Sequence, residues 1–198
     1  MLNPITPVQL KELLNDNPLY VFALESEAAN EFETEDTLFV GVGKLNAMYH
    51  LMKRIQEQKP SVIVNLGSAG SLEHNRGEVV CCTGFVQRDM DVTPLGFGKY
   101  ETPFARHEPT LFNGINAKGF PRGVCGTGDS FVINHNTTDY NVIDMEAYAI
   151  SWLALHEQIP FLCLKYISDG ADGAAAEDWQ ETIKHAAKTL KAAISSLL

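Results

Sequence analysis

A chain of 198 residues with 45% apolar and 20% charged residues is long enough for one ordinary domain with a sizeable core. Its 25 Asp plus Glu against 15 Lys plus Arg leave a net charge of −10, which disfavours general binding to nucleic acid or to an acidic membrane surface. No apolar run approaches the roughly 20 residues of a membrane-spanning helix, and the N-terminal stretch lacks the pattern of a secretion signal, so a cytoplasmic protein is expected.

In chain order the pattern alternates. A polar helix over about 7–15 precedes an apolar run at Tyr20–Leu24, read as a strand, and a second strand is expected over Thr37–Gly41. Leu45, Met48, Tyr49, Met52 and Ile55 recur at three and four residues, which predicts an amphipathic helix ended by Pro60. Val62–Val64 reads as a buried strand running into the loop Asn65–Gly70, and Glu78–Val86 as another strand. From Gln87 to Phe120 periodicity fails, and a long irregular segment in a compact domain is often functional. Val124–Gly126 ends a strand, Val142–Ile143 is a short one, and Met145–Glu157 is helical in pattern. Phe161–Ile167 is a continuous apolar run broken only by Lys165, and Trp179, Ile183, Ala186, Ala187, Leu190 and Ile194 mark a C-terminal amphipathic helix. The expected fold is one α/β domain over 1–198, three layers αβα, with a central mixed, largely parallel sheet.

Cys81, Cys82, Cys125 and Cys163 form no Cys-x-x-Cys pair and read as core thiols of a reducing compartment. The six histidines are scattered, so no metal site is expected; Gly41-Val42-Gly43-Lys44 is not a P-loop, and Gly67-Ser68-Ala69-Gly70 is not a nucleophile elbow. What remains at the strand ends is carboxylate chemistry at Glu27, Glu146 and Asp169. Burial and mutual repulsion can raise one pKa among such groups and so divide acid from base.

The segments Gly67-Ser68-Ala69-Gly70, Gly128-Asp129-Ser130-Phe131, Asp144-Met145-Glu146-Ala147 and Ile167-Ser168-Asp169-Gly170-Ala171-Asp172, in this order, resemble the nucleoside phosphorylase superfamily. The nearest branch is that of the methylthioadenosine/S-adenosylhomocysteine nucleosidases, and the resemblance runs from about residue 21 to 198. It implies a purine nucleosidase that needs no cofactor. Asp169 would be the acid at purine N7, positioned by Ser168, and Glu27 would activate water, with Glu25 as the competing candidate. Glu146 would hold the ribose hydroxyls and Met145 would lie against the sugar. Phe131 would stack on the base, the Val132 backbone would bond it, and Ser68 would sit near the ribose or the water. Val92 would reach a neighbouring subunit's 5′ pocket in a homodimer, and Trp179 would wall that pocket.

A phosphorylase places Arg where this chain has Asn65, so water is the expected nucleophile, although Arg88 and Lys165 remain possible phosphate partners. The segments 98–122 and 133–141 are shorter than the family pattern, Leu95 stands where the 5′ pocket usually has an aromatic residue, and Lys165 replaces an Arg. The 5′ substituent is therefore open, a futalosine-type nucleoside included.

Overall fold

The computed structural model describes residues 4–198, apart from the side chains of residues 178, 180, 181 and 184. Helix α1 (Pro7–Asp16) starts at a reciprocal cap between Thr6 and Gln9, has Pro at its first turn, and buries Leu10 and Leu14 one turn apart. It leads into strand β1 (Pro18–Phe22), the short helix α2 (Glu25–Ala28) and β2 (Thr37–Phe39).

Helix α3 (Lys44–Glu57) forms where the spacing predicts, but it is rotated from the expected face. Ala47, Leu51 and Ile55 are its buried stripe, with Met48 and Met52 beside it, whereas Leu45 and Tyr49 are 84% and 65% exposed. Small Ala47 lets the helix sit close, a choice that a search for large apolar residues overlooks.

Strand β3 (Val62–Gly70) is much longer than the expected three residues: Asn65–Gly70, read as a loop, continues the strand. Strand β4 (Val79–Gln87) is followed by the irregular segment, which holds one turn of 3-10 helix at Thr93–Leu95 and the two-residue strand β5 (Thr110–Leu111). Strands β6 (Arg122–Thr127) and β7 (Val142–Asp144) precede α4 (Ala147–His156), which begins two residues later than expected because Glu146 is its N-cap. Strand β8 (Phe161–Asp169) is buried throughout, and α5 (Ala175–Ser195) closes the chain. No described helix is long and apolar enough to cross a membrane.

The strands form one eight-stranded mixed sheet in the order β2-β1-β3-β7-β6-β4-β5, with β8 pairing both β3 and β4. Five of its pairings are parallel: β1–β2, β1–β3, β3–β8, β4–β6 and β6–β7. The antiparallel contacts β4–β8 and β3–β7, the latter a single pair at Gly70 and Ile143, close β3, β8, β4, β6 and β7 into a ring. Two apolar clusters cover the sheet. One packs α3 and α4 against Val21, Ile63 and Cys163; the other packs α1 and α5 against Tyr20, Val64 and Leu162. Alternate residues of β1, β3 and β8 thus face opposite layers, as a buried strand requires. The C-terminal ends of β1, β3, β6, β7 and β8 carry the residues that build the site.

Candidate active site

Glu27 sits in the one-turn helix after β1. It is buried, while Glu25 two residues earlier is exposed and does not line the cavity. Its Oε1 accepts the Ser68 N–H at 2.8 Å and the Ser68 hydroxyl at 2.7 Å, and its Oε2 accepts the Leu24 N–H at 3.1 Å. Trp179 donates from Nε1 to Ser68 Oγ at 2.9 Å and so orients that hydroxyl towards Glu27. The close approach depends on Gly67: its φ is +154°, and a Cβ there would lie 3.1 Å from Glu27 Oε1.

Asp169 is the last residue of β8 and is buried. Ser168 donates to its Oδ2 at 2.8 Å, and the Ala171 N–H donates to its Oδ1 at 2.9 Å. Ala171 reaches that position with φ +49°, a left-handed conformation that costs a non-glycine residue ~1–2 kcal/mol. Gly70 of β3 leaves room for the carboxylate, since a Cβ there would stand 2.6 Å from Asp169 Oδ1.

A buried ion pair, Lys165 with Asp144, stands beside these carboxylates. Asp144 ends β7; its Oδ2 accepts from Lys165 Nζ at 2.9 Å and from the Ala147 N–H at 2.8 Å, and its Oδ1 accepts from Thr127 Oγ1 at 2.5 Å. Both charged side chains are almost completely buried. Burial alone would raise Asp144, but Lys165, Thr127 and the Ala147 amide hold it below the usual carboxylate range. Burial alone would lower Lys165, but Asp144 carries it well above the usual amine value. A single Lys inside an apolar strand was the signal for this pair, because a buried ammonium requires a buried partner.

Glu146 follows on the same turn, with its Oε1 held by the Gly43 N–H at 2.8 Å. Burial, and then the nearby Asp144 charge, push its carboxyl up to about 8, against the opposing pull of Lys165 and Gly43. Three carboxyl groups thus stand in three different environments.

A cavity of about 350 Å³ joins them, with Glu27, Glu146 and Asp169 on its walls beside Ser68, Met145, Ser168 and Trp179. Phe131 and Val132, after β6, form another wall, and Phe131 is 50% exposed at its edge. Nine of the ten expected site residues therefore line one cavity. Val92 does not; it is half-buried at the start of the 3-10 turn. Leu95 is likewise outside the cavity and 75% exposed.

Among the described residues, no Lys or Arg lines the cavity. Lys165 belongs to Asp144, and Arg88 donates to Ser130 Oγ at 3.0 Å and to the Gly128 carbonyl at 3.0 Å. Asn65 donates to the Val21 carbonyl at 3.1 Å inside the sheet.

The family whose sequence model is described as the phosphorylase superfamily matches residues 37–198, so Glu27 lies before the matched stretch and is placed by geometry. Similar proteins include the 5′-methylthioadenosine/S-adenosylhomocysteine nucleosidases of Staphylococcus carnosus, 31% identical over 178 residues, and of Listeria monocytogenes, 31% identical over 182 residues. Each alignment covers 80% of this chain and 78% of the relative. Among solved structures, the 5′-methylthioadenosine/S-adenosylhomocysteine nucleosidase of Neisseria meningitidis with methylthio-immucillin-A has a TM-score of 0.80 at 21% identity, covering 91% of this chain and 97% of that one. Futalosine hydrolase of Helicobacter pylori has a TM-score of 0.81 at 16% identity, covering 91% and 96%. The fold of these structures matches the mixed sheet and its helical layers, and with the family match over 37–198 the chain belongs to the phosphorylase superfamily.

Proposed function

We propose that the protein is a nucleosidase that hydrolyses the N-glycosidic bond of a 5′-substituted adenosine, of the methylthioadenosine or S-adenosylhomocysteine type, releasing adenine and the ribose derivative. The observation that carries this reading is a cavity lined by four carboxyl-bearing residues, Glu27, Asp144, Glu146 and Asp169, and, among the described residues, by no Lys or Arg. A phosphate nucleophile would need fixed positive charge there; water needs only a base.

The bond breaks through a ribosyl cation, and adenine leaves poorly as an anion. Asp169 transfers a proton to N7 as the N9–C1′ bond lengthens, and its hydrogen bonds from Ser168 and Ala171 keep it on the base side. Glu27, aimed by Ser68 and Leu24, takes a proton from the water whose oxygen attacks C1′. Glu146 keeps one oxygen on Gly43 and turns the other to the ribose hydroxyls. Met145 packs against the sugar, Phe131 stacks on the base, and the Val132 backbone bonds it. Trp179 and a partner's Val92 frame the 5′ group. The logic parallels glycoside hydrolysis, with acid and base on opposite sides of the breaking bond.

Adenine release from methylthioadenosine in phosphate-free buffer is expected. Asp169→Asn and Glu27→Gln are each expected to slow it by about 10²–10⁴-fold. Strict phosphate dependence with ribose 1-phosphate as product would overturn the hydrolytic reading. Futalosine belongs in the same assay, because futalosine hydrolase of Helicobacter pylori has this fold and Leu95 stands where the resemblance implies an aromatic residue of the 5′ pocket. We also read the protein as a cytoplasmic homodimer. Four buried free thiols fit a reducing compartment, and exposed Leu45, Tyr49, Phe104 and Phe112 carry apolar surface that a second copy would cover.

A further inference from the structure

Arg88 is the first residue after β4, and its backbone N–H donates to the Thr127 carbonyl at 2.9 Å, extending the β4–β6 pairing by one step. Its side chain then leaves the sheet and closes on the turn that follows β6. Nη1 donates to Ser130 Oγ at 3.0 Å, and Nη2 donates to the Gly128 carbonyl at 3.0 Å and to the Ser130 carbonyl. The turn is shaped to receive it: a Cβ on Gly128 would lie 2.8 Å from Arg88 Cζ, so only glycine lets the backbone lie against the guanidinium.

A second grip comes from the neighbouring residue. Asp89 accepts the Asp129 N–H at 3.0 Å, and Lys44 bridges Asp89 at 2.5 Å and Asp129 at 3.2 Å. The residues directly after this double hold are Phe131 and Val132, which form a cavity wall.

We propose that Arg88 is a positioning residue for the base half of the site: by holding the Gly128–Ser130 turn it fixes Phe131 and Val132 where the purine must dock. The inference rests on the nucleosidase reading given above. Arg88 does not line the cavity and touches no reacting atom, so it acts through the wall it orders. A planar fork can reach two carbonyls and a hydroxyl at once, whereas a Lys ammonium on a flexible stem cannot reproduce that geometry. Loss of the fork would raise the cost of ordering the wall when the base binds, and would leave the ribose side, held by Glu146 and Met145, as it was.

The test compares wild type, Arg88→Ala and Arg88→Lys. Adenine and methylthioribose are titrated separately by calorimetry, and turnover of methylthioadenosine is measured in phosphate-free buffer. In Arg88→Ala, adenine affinity should fall by about 10-fold and KM should rise by a similar factor, with kcat within about 3-fold and methylthioribose affinity within about 2-fold. Arg88→Lys should recover part of the adenine affinity, and it answers the same question if the alanine variant does not fold. Unchanged adenine affinity and KM in a folded variant would overturn the proposal. So would equal losses for adenine and methylthioribose, which mark general loosening. A wild-type protein that neither binds adenine nor consumes methylthioadenosine would overturn the nucleosidase reading itself; a wild type that does both, beside an indifferent Arg88→Ala, overturns only the role of Arg88.

Discussion

Glu146 shows how one residue can carry a pH dependence that is readable in stability. Its carboxyl is pushed up to about 8 by burial and by Asp144, from an ordinary value of 4.5. Between those values the native chain keeps a proton that the unfolded chain has released, so this group makes stability fall as pH rises through the window. Glu146→Gln removes the dependence. Its Tm should therefore gain on wild type by several degrees between about pH 5 and about pH 9, and a difference that stays flat with pH would contradict the burial argument. The residue types at the strand ends were legible in the sequence, because polar residues straight after apolar runs are visible in it. The choice between Glu25 and Glu27 was not. Two carboxylates of the same short helix differ only in which one turns towards Ser68, and no periodicity encodes that in one turn.

At the scale of elements, strands β3, β7 and β8 hold their functional groups through close packing. Gly70→Ala would drive a methyl group against Asp169 and the Ala171 side chain, so the carboxylate must move. Turnover should drop by about 10²-fold, the penalty of roughly 1 Å misplacement, while the circular dichroism spectrum stays native. Lys165 and Asp144 link β8 to β7 from within. Removing one partner, as in Lys165→Met, should cost about 3–5 kcal/mol in urea denaturation, because it leaves a buried charge alone. Lys165→Met combined with Asp144→Leu should recover much of that loss. The elements themselves were largely legible, but β3 and β8 were read too short. Gly, Ser and Asp within them look like loop residues, yet the backbone at the site must approach other groups closely and the sheet continues beneath it. The turned face of α3 was missed for a related reason: buried Ala47 is small and exposed Leu45 is large.

For the whole molecule, the alternation of strands and helices announced the layered architecture, but not the closure of five strands into a ring. That closure depends on the antiparallel contacts of β4 with β8 and of β3 with β7, which join segments far apart in sequence and leave no local mark. The thiols lie on both faces of this sheet: Cys82, Cys125 and Cys163 pack in the cluster with α3 and α4, and Cys81 in the one with α1 and α5. All four cysteines are buried, and burial pushes Cys81 and Cys125 up to about 11. A thiol reagent near pH 8 should therefore label the folded protein negligibly, and its labelling with increasing urea should coincide with the global unfolding transition. Labelling well before that transition would mean that a layer of the core opens on its own.

The position of β8 has a consequence for how the molecule comes into being. It is the last strand in the sequence, yet it lies between β3 and β4, which are made roughly 75–100 residues earlier. Until it arrives, those two strands present bare edges to each other and to any neighbouring chain, and the Asp169 wall does not exist. The candidate site is therefore incomplete until β8, which brings Asp169, and α5, which brings Trp179, have joined the earlier strands. Growth of the chain on the ribosome must pass Phe161, the start of β8, before those edges can close.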